Sequence, residues 1–434
     1  MSGTISSPRI AILGAGSYVF TLGLLNDLLN RYPVPGSTLV LMDVDAEMAE
    51  TMAAIARHMA RELGIPVAVE ATADRSIALT GADFVTTSVA VQLRTRWEMD
   101  KAVIIKHGIR EVTSECGGVG GLSYTLRQVA LLVAIARDME RLCPHAWLLN
   151  VSNPLPRVVT AVTRHTSIRT LGFCNASWGG ESGYANIAGI LGRDPRDLNV
   201  LSAGLNHFAW LLGVTDRWTG GDLLPMVSQR LTETPLALQP YTMKLWQQTG
   251  YLPLAGDPHT GEFLAFDAEV LEEHPAHHGD AAERLARRQA LREAAAGTRP
   301  WQTLLRGLAW EHPAEVIHAL ATGTHRRLDM VNLPNHGAIT GLPDDAVVEV
   351  PALIADDTVT PIPIGAIPAP LTAWWQTIST VHTLSAEAAV TGNRALLDEA
   401  IDLDPAITDK PAAKLAMTDL AAMHSDVVVG GPEH

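Results

Sequence analysis

Three short segments combine polar side chains with a preceding strand-like sequence, and together they could form a catalytic or metal site. They are LLNVSNP with Asn153, GFCNA with Cys174 and Asn175, and GLNHFAW with His207. Ligands of an open α/β sheet bind where its parallel strands end. A thiolate, an imidazole and amides at that edge would suit a divalent transition metal, most plausibly manganese, with iron, cobalt or nickel as alternatives. Taken singly, a buried cysteine or histidine is as often a core residue, and these residues form no local metal motif.

A fourth segment, near the start of the chain, could bind a dinucleotide. IAILGAGSYVF contains Gly14, Gly16 and Ser17 between a predicted strand and a predicted helix. Glycine suits this turn because the chain reverses sharply and its backbone must approach a pyrophosphate at the helix N-terminus. Val19 occupies the third position of the G-x-G-x-x-G motif, so the match is partial. Asp43 ends the next strand in LMDVD, where a carboxylate can bind the ribose hydroxyls and favour NAD over its phosphorylated form.

The elements around these residues alternate between strand and helix in the first part of the chain. RIAILG, TLVLMDVD, VAVEAT, DFVTTSV, WLLNVSNP and IRTLGFCN are strand-like, and amphipathic segments separate several of them. This alternation predicts an α/β fold, with a Rossmann-type doubly wound parallel sheet over residues 1–195. From SAGLNHFAWLLGVTD onward the pattern changes to strands of a different sheet and then mainly to helices. We expect residues 196–434 to form an α+β domain for substrate binding and oligomerisation.

Composition limits the classes of partner. The 434 residues carry a formal net charge of −15, which argues against nucleic acid because phosphate binding needs a basic surface. Inspection of the sequence finds neither an uninterrupted apolar run of the ~20 residues that a membrane helix needs nor a secretory signal. The three cysteines, an odd number in a long chain, favour a reducing compartment. The sequence therefore predicts a cytoplasmic enzyme with a small-molecule substrate and no membrane partner.

The ordered motifs resemble glycoside hydrolase family 4. They are GAGSYVF, LMDVD, SECGGVGGLSYTLRQ, WLLNVSNP, GFCNA, GLNHFAW, GDPHTGEFL and NLPNHGAITGLPDDAVVEVP, spread from residue 9 to residue 405. The resemblance implies a Rossmann domain followed by a substrate domain, usually in homodimers or homotetramers, and a requirement for NAD and a divalent metal, commonly manganese. NAD-dependent members of this family are exceptions to the two-carboxylate scheme of glycoside hydrolysis.

The resemblance also implies a reaction and roles for individual residues. Transient oxidation of the sugar at C3 acidifies C2, a base removes the C2 proton, and the C1 substituent leaves. By position in the motifs, the metal ligands are Cys174 and His207, the NAD-binding residues are Gly14, Gly16, Ser17 and Asp43, and the substrate-binding residues are Asn153, Glu115, Arg127 and Glu262.

This chain departs from the family pattern at the catalytic positions. Phe263 stands where many members have the tyrosine that acts as the C2 base, which leaves Tyr124 and His259 as candidate bases. Asn175 stands where galactosidase-like and galacturonidase-like members commonly have histidine and phospho-α-glucosidases aspartate. An amide can orient a leaving group or bond to it but cannot protonate it.

The function predicted from these residues is hydrolysis of an unphosphorylated hexoside or hexuronide, of the α-galactosidase, α-galacturonidase or α-glucosidase type. The GDPHTGEFL segment favours the first two types. Two alternatives remain open. One is an NAD-dependent dehydrogenase of the lactate/malate type, and the other is a non-catalytic protein that binds NAD or a sugar.

Overall fold

One large sheet runs through the molecule. The computed structural model describes residues 4–109, 115–179, 183–233, 239–265, 281–305 and 312–428. The strands are β1 (Arg9–Leu13), β2 (Thr38–Met42), β3 (Ala68–Thr72), β4 (Phe84–Thr87), β5 (Trp147–Asn150), β6 (Arg169–Gly172), β7 (Leu198–Leu205), β8 (Phe208–Asp216), β9 (Leu252–Pro253), β10 (Arg326–Pro334), β11 (Ile339–Thr340), β12 (Val347–Ala355), β13 (Thr358–Pro361) and β14 (Gly365–Ala366).

The first half of the sheet is parallel, in the order β3-β2-β1-β4-β5-β6. This is the Rossmann order, in which the chain changes direction between β1 and β4. Ile10 and Ile12 of β1 belong to the core on one face, whereas Ala11 and Leu13 belong to the core on the other. Both faces are covered, which explains why the strand sequences are continuous hydrophobic runs. The prediction of a doubly wound parallel sheet is confirmed.

The sheet does not end where the parallel strands end. β6 pairs with β10 in antiparallel orientation through Gly172 and Asn332, and the order continues β12-β7-β8-β9. The expectation that SAGLNHFAWLLGVTD forms strands of a different sheet was wrong, because β7 and β8 belong to the same sheet as the parallel strands. The two predicted domains are therefore joined by main-chain pairing within one sheet. Helices do dominate after residue 216, but β10 and β12, which are nine-residue strands in this sheet, were not predicted.

Helices cover both faces of the sheet. They are α1 (Thr21–Asn26), α2 (Ala46–Leu63), α3 (Arg75–Leu79), α4 (Leu93–Lys106), α5 (Gly118–Leu142), α6 (Leu155–His165), α7 (Ala176–Gly179), α8 (Tyr184–Leu191), α9 (Leu224–Glu233), α10 (Pro240–Thr249), α11 (Asp257–Thr260), α12 (Ala281–Ala295), α13 (Pro313–Thr322), α14 (Thr372–Thr391), α15 (Arg394–Leu403) and α16 (Lys410–Met423). α1 and α2 lie on one face, and α4, α5 and α6 lie on the other.

The last helices of the chain complete the core of its first half. α14 packs on α5 and α6, and α16 packs on α4 and α5. α5 is long and apolar enough by composition to cross a membrane, but 78% of its most apolar stretch is buried inside the molecule. Burial of this kind is typical of a core helix, and it accounts for the apolar character of α5.

Candidate active site

The glycine turn, Gly14 to Ser17, follows β1 and lies against the end of β4. Gly14 has a φ of +83°, and a Cβ at this residue would collide with the carbonyl oxygen of Ser88. The backbone N–H of Ser17 donates to the carbonyl of Gly14, and α1 begins four residues later at Thr21. Only glycine meets both the dihedral angle and the close approach at Gly14. The turn leaves its backbone at the carboxyl edge of the sheet, where a pyrophosphate would lie.

Asp43 lies directly beneath the glycine turn. Its Oδ2 accepts a hydrogen bond from the Gly16 N–H at 2.8 Å, and its Oδ1 accepts one from the Asp45 N–H at 2.9 Å. A Cβ on Gly16 would lie 2.8 Å from Asp43 Oδ2. Each carboxylate oxygen keeps a further lone pair. Asp43 can therefore hold the turn in shape and still accept hydrogen bonds from a ribose.

The loop after β5 contacts the segment that precedes α5. Asn153 Nδ2 donates to Glu115 Oε2 at 2.7 Å, so these two predicted substrate-binding residues form a pair. Asn153 Oδ1 is buried and has no hydrogen-bond partner among the described residues. Asn150 shapes this loop, since its side chain bonds Thr87 Oγ1 and both main-chain polar groups of Ser152. The pair therefore has one unpaired amide oxygen and one carboxylate as possible acceptors of hydrogen bonds from sugar hydroxyls.

Cys174 and His207 are brought together although they are far apart in sequence. Cys174 Sγ lies 3.3 Å from His207 Nε2. Cys174 follows β6, whereas His207 is the second residue of a two-residue turn between β7 and β8. His207 has a φ of +62°, and Asn206 next to it is held by the buried carboxylate of Glu349. The two predicted metal ligands are therefore in contact. That they bind a metal remains a prediction.

Glu262 and His259 face the same imidazole. Glu262 Oε2 lies 3.7 Å from His207 Nδ1, and Glu262 Oε1 lies 3.8 Å from His259 Nδ1. The rings of His207 and His259 are 4.3 Å apart between centroids. Burial opposes ionisation of Glu262, but the two imidazoles outweigh it and lower the pKa of the carboxyl. Burial lowers the pKa of His259, and the neighbouring His207 adds to the effect.

Cys116 lies in this site and was not predicted there. Its backbone N–H donates to Glu262 Oε2 at 3.0 Å, and the ligand atoms of Cys116, His207 and Glu262 all lie within 4.8 Å of one another. Burial raises the pKa of the Cys116 thiol to about 12. These three residues and Cys174 are called the cysteine–histidine cluster below. The signal that could have found Cys116 is its position directly after Glu115 in the ECGG segment.

Tyr124 and Arg127 on α5 lie in the protein interior. Arg127 is fully buried, and its guanidinium binds Asp100 at 2.6 Å and lies 4.9 Å from the centre of the Tyr124 ring. Asp100 also accepts hydrogen bonds from Ser123 and from His424 near the end of the chain. Burial raises the pKa of Tyr124 well above its ordinary value. The structure therefore gives Arg127 a buried carboxylate as its partner and gives Tyr124 little access to a substrate.

Asn175 and Phe263 occupy the two positions where the chain departs from its motif pattern. Asn175 is exposed and directly precedes α7. Phe263 is buried against the rings of Phe208 and His382, with centroids 5.7 Å and 5.8 Å away. Phe263 therefore contributes to an aromatic core. The side chains of this loop that reach the cluster are those of His259 and Glu262.

The arrangement joins two binding functions at one edge of the sheet. The glycine turn follows β1, the Asn153–Glu115 pair follows β5, and Cys174 follows β6. Ligands of doubly wound sheets bind at this edge. The site can therefore hold an anionic dinucleotide beside a cluster of soft metal donors, with a carboxylate and an amide for sugar hydroxyls.

Comparisons with known proteins agree with this arrangement. The family 4 glycosyl hydrolase model matches residues 9–190, and the model of the family's C-terminal domain matches residues 202–407. An α-galactosidase of Bacillus subtilis is 27% identical over 96% of this chain and 97% of its own length. A probable 6-phospho-β-glucosidase of the same organism is 29% identical over 96% of both chains.

A solved structure has the same fold. The 6-phospho-α-glucosidase from gut microorganisms in complex with NAD and Mn²⁺ superposes with a TM-score of 0.80 at 23% identity, over 97% of this chain and 99% of that one. Together the two family models span most of the described chain, including both the glycine turn and the cysteine–histidine cluster. The chain belongs to the family 4 glycosyl hydrolases, and it is a glycosidase.

Proposed function

We propose that this glycosidase hydrolyses an unphosphorylated hexoside or hexuronide, as an enzyme of the α-galactosidase or α-galacturonidase type, with NAD and a divalent metal, for which we propose manganese. The observation that carries the proposal is the contact of Cys174 with His207 beside the Asn153–Glu115 pair. A dehydrogenase of the lactate/malate type would not need a pair of soft metal donors next to its dinucleotide site. An α-glucosidase specificity is a variant of the same proposal.

The residues fit both groups. The close approach of Gly14 to Ser88 and the bond from Gly16 to Asp43 give the turn the shape that a pyrophosphate and a ribose require. Cys174 and His207 are a thiol and an imidazole in contact, which suits a transition metal. When bound, NAD supplies a reversible hydride acceptor for C3 of the sugar, and the metal supplies Lewis acidity at the oxidised position.

The chain's own residues bind the sugar and move its protons. Asn153 Oδ1 and the Glu115 carboxylate would bond sugar hydroxyls. His259 is our candidate for the base that removes the C2 proton, because about a quarter of its side chain is exposed and it adjoins both Glu262 and His207. Tyr124 is a weaker candidate, since only 3% of the residue is exposed. Asn175 would orient the glycosidic oxygen or the incoming water.

The charges near the sugar-binding pair favour an unphosphorylated substrate. The polar groups described around Asn153 include the carboxylates of Glu115 and Glu262. Arg127 of α5 and Arg157 of α6 are fully buried, and Arg127 is already paired with Asp100. A phosphate would need a free cationic partner. Since the relatives include enzymes named for phosphorylated and for unphosphorylated sugars, their names alone do not decide this point.

The mechanism can be tested by solvent isotope exchange. The protein is incubated in heavy water with NAD, Mn²⁺ and nitrophenyl α-galactoside, α-galacturonide or α-glucoside, and with the 6-phosphorylated counterparts of the galactoside and the glucoside. We expect turnover of an unphosphorylated glycoside and deuterium at C2 of the released sugar. Release of sugar without C2 exchange would contradict the redox–elimination mechanism. Accumulation of NADH with turnover would favour the lactate/malate-type dehydrogenase, and no turnover of any glycoside would favour a binding protein.

The same assay distinguishes the two candidate bases. His259→Gln should abolish C2 exchange, because glutamine keeps hydrogen-bonding groups but cannot accept the proton. Tyr124→Phe should leave exchange within about twofold of the parent rate, since the ring remains and only a buried hydroxyl is lost. The opposite result would assign the base to Tyr124. A homodimer or homotetramer in the cytoplasm remains our prediction for the assembled enzyme.

A further inference from the structure

A buried carboxylate joins three segments of the chain near the cysteine–histidine cluster. Glu349 of β12 is 1% exposed and accepts three hydrogen bonds. Its Oε1 accepts one from Ser177 Oγ, and its Oε2 accepts one from Asn206 Nδ2 at 2.9 Å and one from Asn332 Nδ2 at 3.0 Å. All three partners are also buried. Glu349 therefore ties together α7, the turn between β7 and β8, and the strand β10.

Two of these three segments adjoin the proposed metal ligands. Asn206 directly precedes His207 in the turn, and Ser177 comes three residues after Cys174. The Cys174 sulfur also accepts a hydrogen bond from the first backbone N–H of α7, at 3.5 Å, so the thiol and this helix are held together. Glu349 is thus bonded to a near neighbour in sequence of each residue in the contact between Cys174 and His207.

The turn between β7 and β8 has a conformation that needs support from its surroundings. His207 has a φ of +62°, in the left-handed region that a residue with a Cβ adopts only at a cost in free energy. A Cβ on Gly204 would lie 2.5 Å from the carbonyl oxygen of Phe208, so the two strands approach closely beside the turn. Strained conformations persist only where surrounding contacts over-determine them. The hydrogen bond from Asn206 to Glu349 is such a contact, and it fixes the backbone from which the His207 side chain projects.

The same hydrogen bonds leave two amide oxygens and one charge without partners. A carboxylate oxygen that accepts a bond faces an N–H, so Asn206 and Asn332 direct Nδ2 to Glu349 and Oδ1 away from it. Both Oδ1 atoms are buried and have no hydrogen-bond partner in the described parts of the chain. Glu349 forms no ion pair with any residue that the structure describes. Since a buried anion is costly unless a cation compensates it, these groups favour a bound species that carries positive charge or hydrogen-bond donors.

We propose that Glu349 is a positioning residue of the divalent-metal site, which holds the backbone beside Cys174 and His207 and strengthens cation binding through its negative charge. The inference rests on the proposed metal-dependent function and adds to it a residue outside the ligand set. Groups that orient metal ligands without binding the metal commonly contribute about 10- to 100-fold to metal affinity. Salt screens buried charges far less than exposed ones. The contribution of Glu349 should therefore persist at high ionic strength.

Glu349→Gln tests the charge without breaking the hydrogen bonds. The amide oxygen of glutamine can accept from both asparagines, and its amide nitrogen can donate to the Ser177 hydroxyl, which then acts as the acceptor. Mn²⁺ is titrated into the metal-free full-length protein, without NAD or substrate, and free Mn²⁺ is followed by electron paramagnetic resonance. We expect the Mn²⁺ dissociation constant to rise by about tenfold or more, at low and at high salt. The unfolding temperature of the metal-free protein should stay close to that of the parent.

Asp216→Asn is the matched control for a purely structural carboxylate. Asp216 is also buried, and it accepts hydrogen bonds from the N–H groups of Trp218 and Thr219 and pairs with Arg193. It lies at the end of β8 that is distant from the His207 turn. This variant should lower the unfolding temperature and leave the Mn²⁺ dissociation constant of the folded protein unchanged. An equal loss of Mn²⁺ affinity in both variants would show that affinity follows stability, which would contradict the role of Glu349.

The outcomes separate this inference from the proposed function. If folded Glu349→Gln binds Mn²⁺ within about twofold of the parent while Cys174→Ser loses binding, the role of Glu349 is overturned and the metal site stands. If the parent protein binds neither Mn²⁺ nor Co²⁺, this inference and the metal-dependent function both fail. If Glu349→Gln does not fold, Ser177→Ala decides the question, because it removes only one of the three hydrogen bonds. Its Mn²⁺ dissociation constant should rise by about fivefold, and an unchanged constant contradicts the inference.

Discussion

The glycine turn and the cysteine–histidine cluster lie at the same edge of the sheet, but different interactions hold them. The turn is held through its own main chain, since Gly14 lies against the Ser88 carbonyl and the Gly16 N–H donates to the Asp43 carboxylate. The cluster is built from ionisable side chains that come from four separate segments and are buried, except for the partly buried Cys174. The shape of the backbone is therefore critical in the glycine turn. The charge and the type of the donor atoms are critical in the cysteine–histidine cluster. A substitution should act through steric conflict in the turn and through lost coordination in the cluster.

The largest effect is expected from removing a donor in the cluster. Cys174→Ser and His207→Ala should each lower metal-stimulated kcat/KM by about 100-fold or more, because a Lewis acid is worth several kcal/mol to the transition state. Glycoside hydrolysis is measured as a function of Mn²⁺ concentration, with Cys143→Ser as the control. Full metal-stimulated activity in either variant would remove that residue from the ligand set.

A smaller but still large effect is expected in the turn. Gly14→Ala places a Cβ in the left-handed region and against the Ser88 carbonyl, so it should lower the free energy of unfolding by about 1–3 kcal/mol and weaken NAD binding. Gly189→Ala in α8 is the control, because its Cβ meets nothing within 4 Å. That change should stabilise the protein slightly, by less than about 1 kcal/mol. Denaturant unfolding and NAD titration measure both variants, and equal effects would refute the steric explanation.

The smallest effect is expected from Asp43→Asn. The amide oxygen can still accept the Gly16 N–H, but the negative charge that disfavours a 2′-phosphate is lost. NAD affinity should fall by roughly tenfold, as for loss of a hydrogen bond to a charged group, and the preference for NAD over its phosphorylated form should decrease. Asp45→Asn is the control, because asparagine caps α2 as well as aspartate does. An unchanged preference in Asp43→Asn would remove Asp43 from the ribose site.

The turn was predictable from the sequence because its requirements are local. A strand, two glycines and an acid at the end of the next strand specify the geometry within 35 residues, and the parallel sheet follows from the alternation of strands and helices. The contact of Cys174 with His207 could not be obtained from spacing, since 33 residues separate them. It required the resemblance to a family with an ordered set of motifs.

Other features depend on contacts that no local pattern encodes. Cys116 reaches the cluster because Gly117 packs against Glu262, 145 positions later in the chain. Arg127 was predicted to bind substrate from its position in the SECGGVGGLSYTLRQ motif, whereas its buried partner Asp100 lies 27 positions earlier. The strands β10 and β12 pair with each other across a short connection, but their place in the large sheet depends on β6 and β7, which are distant in sequence.

The packing of α14 and α16 on α5 has a consequence for how the chain folds during synthesis. The core on one face of the parallel half is completed by Val381 of α14 and Leu420 of α16. Asp100 is hydrogen-bonded to His424, 324 positions away. The first 195 residues leave the ribosome long before these partners exist, so that face stays uncovered while the rest is translated. Contacts of such sequence separation slow folding and prolong the exposure of apolar surface. We therefore expect the nascent chain to depend on chaperones until its last helix has docked.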